Sequence, residues 1–164
     1  MTKNLLSACL LSSALLIGCN NSNENENEAD VEGCEHLQEG PASAVTATAA
    51  TSGAPAVSND HKRYDITLPA GTGGNVGSVS FASGEATDYV LFLGADVPVK
   101  VTNSMGQDVA FEETAKTSEA CTEVKGRHVV PMGVGTYTLT FGPTTQGSVS
   151  LVIEETAHDE EHTH

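Results

Sequence analysis

From Thr136 to Phe141 the chain alternates threonine with Tyr137, Leu139 and Phe141, and Val149, Leu151 and Ile153 repeat the pattern after the loop from Gly142-Pro143 to Gly147. A period of two puts one set of side chains on a buried face and the other in solvent, so both segments are strands and not an amphipathic helix. The same grammar runs back through the chain. Tyr64 to Leu68 alternates before the glycine-rich break at 69–75, and Gly77 to Ala82 points Val79 and Phe81 one way. Val97 to Val101 and Asp108 to Phe111 face each other across Asn103-Ser104-Met105-Gly106, a hairpin turn in which glycine supplies the positive φ. Tyr89-Val90-Leu91-Phe92-Leu93 is apolar at every position, which demands a central strand covered on both sides. Ser43 to Ala50 reads equally as an edge strand or as an Ala/Thr/Ser linker, because alanine and serine are poor strand formers. Turn residues recur every eight to twelve positions, and the expectation is an all-β fold, a single antiparallel β-sandwich of seven or eight strands, jelly-roll-like, with no amphipathic helix.

The N-terminus is of another kind. Lys3 is followed by an uncharged Leu/Ala/Ser run from Leu5 to Ile17, the length of a secretory apolar segment and too short to span a bilayer. The run ends in Leu16-Ile17-Gly18-Cys19, and here the chain resembles bacterial lipoproteins, whose lipobox places an aliphatic and a small residue before an acylated cysteine. The resemblance implies cleavage before Cys19 and lipidation of Cys19. An ordinary cleaved signal peptide would leave Cys19 a plain thiol, but a small-x-small cleavage site fits these residues less well. Several acyl chains, each buried CH₂ contributing about 0.8 kcal/mol, anchor a protein firmly without a transmembrane helix. Asn20 is not the aspartate that marks inner-membrane retention in enteric bacteria, so the resemblance leans toward an envelope protein of the outer membrane.

Processing reorganises the charge. The full chain of 164 residues, about one ordinary domain, carries 22 acidic and seven basic side chains and a formal charge of −15. Removal of residues 1–18 takes away Lys3 and Cys9. Residues 19–40 then form an acidic segment, Asn20 to Glu28 followed by Asp30, Glu32, Glu35 and Glu39 without a base, expected to be a disordered tether. A flexible coil of this length would hold the domain roughly 25 Å from the lipid. Residues 41–155 are the sandwich and residues 156–164 an acidic, histidine-bearing tail. A charge of this sign, with no Lys/Arg face, excludes nucleic acid as a partner.

Tyr64 to Gly71 together with Gly133-Val134-Gly135-Thr136-Tyr137-Thr138-Leu139 is similar to the secreted β-sandwich accessory domains of the prepeptidase C-terminal and jelly-roll type, over about two thirds of the mature chain. Such a resemblance implies fold and not activity. With Cys9 removed and Cys19 lipidated, Cys34 and Cys121 remain, and in an oxidising compartment they are expected to pair. The alternative is a zinc site drawn from Cys34, His36, His61, Cys121 and His128, although no close C-x-x-C spacing preorganises it.

The tail His158-Asp159-Glu160-Glu161-His162-Thr163-His164 offers imidazole and carboxylate ligands suited to Zn, Ni or Cu, with His158, Glu161, His162 and His164 as the metal-binding set. Binding there would be weak and exchangeable, because ordering each residue costs about 1–2 kcal/mol. The plainer reading is a solvated acidic tail. His158 to His162 also spells H-x-x-E-H, but that zinc-peptidase motif needs a helix packed into a domain, and no apolar residue follows Ala157. No G-x-S-x-G is present, and Asp88, Asp96 and Asp108 form no calcium loop. Sugar recognition would need exposed rings, and only Tyr64 falls outside the core pattern. The sequence therefore describes a non-enzymatic, lipid-anchored envelope lipoprotein. Its sandwich is a binding domain, it requires no cofactor, and its tail captures divalent transition metals; the alternative is a protein-interaction or structural module that meets an envelope protein partner and has no metal role.

Overall fold

The computed structural model describes residues 22–156, with side chains from Glu28 onward. Cys19 and the tail residues His158, Glu161, His162 and His164, expected to bind metal, lie outside the described residues. The chain opens with α1 (Ser22–Glu39) and continues as β1 (Ala42–Thr46), β2 (Ala56–Val57), β3 (Arg63–Thr67), β4 (Ala70–Gly71), β5 (Gly74–Ser83) and β6 (Thr87–Leu93). It ends with β7 (Val99–Asn103), β8 (Asp108–Val109), β9 (Glu113–Ala115), β10 (Gly126–Met132), β11 (Gly135–Thr144) and β12 (Ser148–Glu155). Two sheets stack face to face, one ordered β1-β3-β12-β6-β10-β9 and the other β2-β5-β11-β7-β8 with β4 beside β5. Between them lie Ile66, Val79, Phe81, Leu91, Leu93, Leu139, Phe141, Leu151 and Ile153, each at most 1% exposed. The inward stripes expected from the alternation of β11 and β12 are those that form this core.

Both sheets are mixed, which corrects the purely antiparallel expectation. β1 pairs parallel with β3, and β2 parallel with β5. A tight turn can only return a strand antiparallel, and the long Ala47–Lys62 excursion to the other sheet frees the chain from that constraint. Ala42–Thr46 is an edge strand, so the first half of the Ala/Thr/Ser stretch is not a linker. β10 is a further strand that the alternation does not predict, because Arg127 and His128 interrupt it and Pro131 argues against a strand interior. Pro131 is tolerated because β10's neighbour β9 reaches only to Val129, so the proline nitrogen faces no partner in the ladder.

The larger correction is α1. Residues 22–39, expected to be a disordered tether, are helical, and the docked part covers the outer face of the first sheet. Ala29, Cys34 and Leu37 pack with Val90, Phe92, Val124, Val129 and Val152 in a second apolar cluster. This explains the strand apolar throughout: Tyr89, Leu91 and Leu93 face the sandwich, while Val90 and Phe92 face the helix. The helix has few apolar residues, of which Ala29, Cys34 and Leu37 face the sheet and Val31 is exposed, and its Asn/Glu composition hides the docked face. Polar and covalent ties hold it as well, among them Asp30 accepting from Arg127 Nε at 2.6 Å and the disulfide between Cys34 and Cys121, Cα atoms 5.9 Å apart.

Gly33 marks a close approach, since a Cβ there would overlap the edge of the Phe92 ring, under 3 Å from three of its carbons. In an exposed helix Gly→Ala stabilises by about 1 kcal/mol. Here overpacking of about 1–3 kcal/mol wins, so Gly33→Ala is expected to destabilise the protein. Hydrogen exchange would show it as lost protection in α1 with the sandwich amides unchanged; a stabilised variant would mean the helix does not dock on Phe92.

Candidate metal centre

β12 lies under the helix, so its even-numbered residues share the face of Val152, which is buried. Glu154 is the next residue on that face and is 1% exposed, a carboxylate where an apolar side chain is expected. A buried charge needs close partners. It has two: His36 Nδ1 lies 2.7 Å from Oε1, and His61 Nδ1 3.5 Å from Oε2.

The three side chains come from three elements. His36 sits in the last turn of α1, two residues beyond Cys34. His61 projects from the loop between β2 and β3, and its ring centre is 5.0 Å from that of His36. His61 holds a left-handed backbone with φ of 55°, uncommon for a residue with a Cβ. The surrounding loop is pinned to hold it there. The Tyr64 hydroxyl donates to Asp60 Oδ1 at 2.8 Å and accepts from the Ser58 amide at 3.2 Å, while Asn59 Nδ2 donates to Glu155. Lys62 pairs with Asp60 and, with the Tyr64 hydroxyl, holds that carboxyl below its ordinary value although partial burial works the other way. Tyr64, the one aromatic left over by the core pattern, is therefore buried and committed to this loop.

Burial pushes the Glu154 carboxyl above its ordinary value, His36 and His61 draw it down, and Glu32, one helical turn before His36, pushes it up again. The net direction is upward. The arrangement has the chemistry of a metal site: two imidazoles and one carboxylate, with all three ligand atoms within 4.8 Å of one another. Bonds of about 2.0–2.1 Å to zinc place tetrahedral ligands about 3.3 Å apart, so the cluster needs only a small contraction. The His61 side chain, 56% exposed, has the room to turn its imidazole inward and supply it. The exposed side leaves room for a further ligand. Two nitrogens and one carboxylate suit Zn, Cu or Ni better than Ca or Mg, which prefer oxygen throughout.

Of the residues weighed as an alternative zinc set, the structure brings together His36 and His61 only. Cys34 and Cys121 are at disulfide distance. His128 lies apart, half-buried against Phe111 with Nδ1 3.2 Å from Thr114 Oγ1, and burial lowers its pKa. Asp96 and Asp108 pair with Lys116 and Lys100 rather than with each other. The missing member was Glu154. Val152 was its signal: an apolar residue at an outward position of β12 means that face is covered, and the acid two residues on must then be buried. Among the described residues no helix is long and apolar enough to cross a membrane. No protein-family model and no curated protein sequence matches the chain.

Proposed function

We propose that this protein is a lipid-anchored lipoprotein of the cell envelope, held through Cys19 in the outer membrane, whose sandwich domain binds a divalent transition metal at His36, His61 and Glu154. The domain is a binding module and not an enzyme, and the tail residues His158, Glu161, His162 and His164 provide additional weak, exchangeable capture. The observation that carries this reading is the buried carboxylate of Glu154 facing two imidazoles from separate elements, a donor set that a metal ion neutralises and bridges. The anchor rests on the Leu16-Ile17-Gly18-Cys19 motif and the apolar run before it.

Calorimetric titration of the unlipidated chain with Zn, Ni and Cu tests the site. Deleting residues 156–164 should leave one tighter site, whereas His61→Ala, His36→Ala and Glu154→Gln should each weaken it at least tenfold. No binding by the parent chain, or binding indifferent to all three substitutions, would sink the proposal. Labelling with a radioactive fatty acid, lost in Cys19→Ser, tests the anchor.

A further inference from the structure

We infer that the Cys34–Cys121 disulfide controls the affinity of the metal centre, so that the centre is competent in the oxidised protein and weakened on reduction. This rests on the metal-binding reading above and adds its regulation. His36 is the one ligand carried by α1; His61 and Glu154 belong to the sandwich. The site therefore exists only while the last turns of α1 are seated on the sheet.

What seats them is limited. The helix is rich in Asn and Glu, and Glu28 and Glu32 stand one turn apart with like charge, so it draws little stability from its own sequence. Asp30 and its partner Arg127 hold the segment more than a turn before His36. Near His36 the contacts include His36 Nδ1 itself 2.7 Å from Glu154 Oε1, Leu37 packing on the sheet, the Leu37 carbonyl accepting from Arg63 Nη1 at 3.1 Å, Gln38 Nε2 donating to Glu123 at 2.8 Å, and the disulfide two residues before the ligand. The disulfide is the one covalent member of this group. It joins the helix to the segment between β9 and β10, closing a loop with a sequence separation of 87. Its partner Cys121 is only partly buried and so open to attack.

The chemistry is two-electron thiol–disulfide exchange with a dithiol reductant. A reductant thiolate attacks one sulfur, the Cys34–Cys121 bond breaks, and the resulting mixed disulfide is resolved by the second reductant thiol. The protein gains two thiols and the reductant leaves as its own disulfide. Freed of the crosslink, the end of α1 samples positions in which His36 no longer faces Glu154, and metal binding must then supply the ordering that the disulfide had provided. Linkage requires the reverse effect, bound metal protecting the disulfide.

The test is zinc titration of the full chain and of its Cys34→Ser/Cys121→Ser variant, which has no thiolates at these positions to capture metal by themselves. A loss of at least tenfold in affinity, with near-ultraviolet circular dichroism of the sandwich retained, is expected; equal affinity overturns the inference while leaving the metal site standing. A parent chain that binds no zinc overturns the site itself. Should the variant fail to fold, the thiol–disulfide equilibrium of the parent chain in a glutathione buffer is measured with and without zinc. Zinc should shift it at least tenfold toward the disulfide, and His61→Ala should remove that shift; an equilibrium unmoved by zinc overturns the inference.

Discussion

Phe92→Ala is expected to lower the free energy of unfolding by about 3–5 kcal/mol, the range for emptying a buried aromatic site. Phe92 is fully buried, yet it points away from the sandwich core and lies beneath α1 at Gly33. Its removal opens a cavity between helix and sheet rather than between the sheets. Leu91 and Leu93, on the other face of the same strand, keep their contacts, so the variant should still fold. Urea denaturation at unchanged m-value gives the number, and hydrogen exchange gives the location: the loss should be concentrated in α1. A change below 1 kcal/mol would show that the helix contributes no packing there and that the outer face of β6 has another cover.

The second large effect is expected at Arg127. Its guanidinium is buried, with Nε 2.6 Å from Asp30; Nη1 lies 3.0 Å from Glu113, at ion-pair distance but off the hydrogen-bonding direction. Burial works against its charge, and Asp30 and Glu113 more than restore it. Replacing one partner of a buried pair strands the other, at about 3–5 kcal/mol. Asp30 keeps the Ser118 hydroxyl as a donor at 2.8 Å and a little solvent, which places Arg127→Ala at the lower end, about 3 kcal/mol. Glu113 is half exposed and adds little. The double replacement Asp30→Leu with Arg127→Met should cost less than Arg127→Ala alone, because it leaves no stranded charge. If the double variant is the less stable of the two, the pair is a net attraction and the argument from desolvation fails.

Most of the sandwich was legible in the sequence, and the reasons are local. Tyr137, Leu139 and Phe141, and Val149, Leu151 and Ile153, face inward because a pleated strand sends alternate residues to opposite sides, whatever the partner. Gly106, with φ of 75°, turns the hairpin as its position between Val99–Asn103 and Asp108–Val109 demands. β10 escaped because the residues that break its alternation, Arg127 and His128, are accommodated by neighbours far away in sequence. Arg127 meets Asp30 of the helix, and His128 lies against Phe111. The parallel edges escaped because pairing direction depends on where a long connection travels, which periodicity does not encode.

The candidate site divides in the same way. His36 and His61 were on the page as potential ligands, but their separation in sequence carried no information about their separation in space. Glu154 stood near the end of the expected sandwich without any role, and its burial beside the two imidazoles is what marks it as a ligand.

By itself the sequence determined the all-β class, most of the inward-facing core and the need for a second cover over Tyr89–Leu93, since each follows from residue periodicity, while counting made Cys34 and Cys121 the expected pair. Only the tertiary structure decided that the cover is the acidic segment 22–39. The apolar contacts of that segment are too few to show in its composition and become stabilising only when Phe92, Arg127 and Cys121 are brought beneath them. The same docking placed His36 beside His61 and Glu154, because a helix, a loop and a strand end distant in the chain can share a site only after the helix is seated.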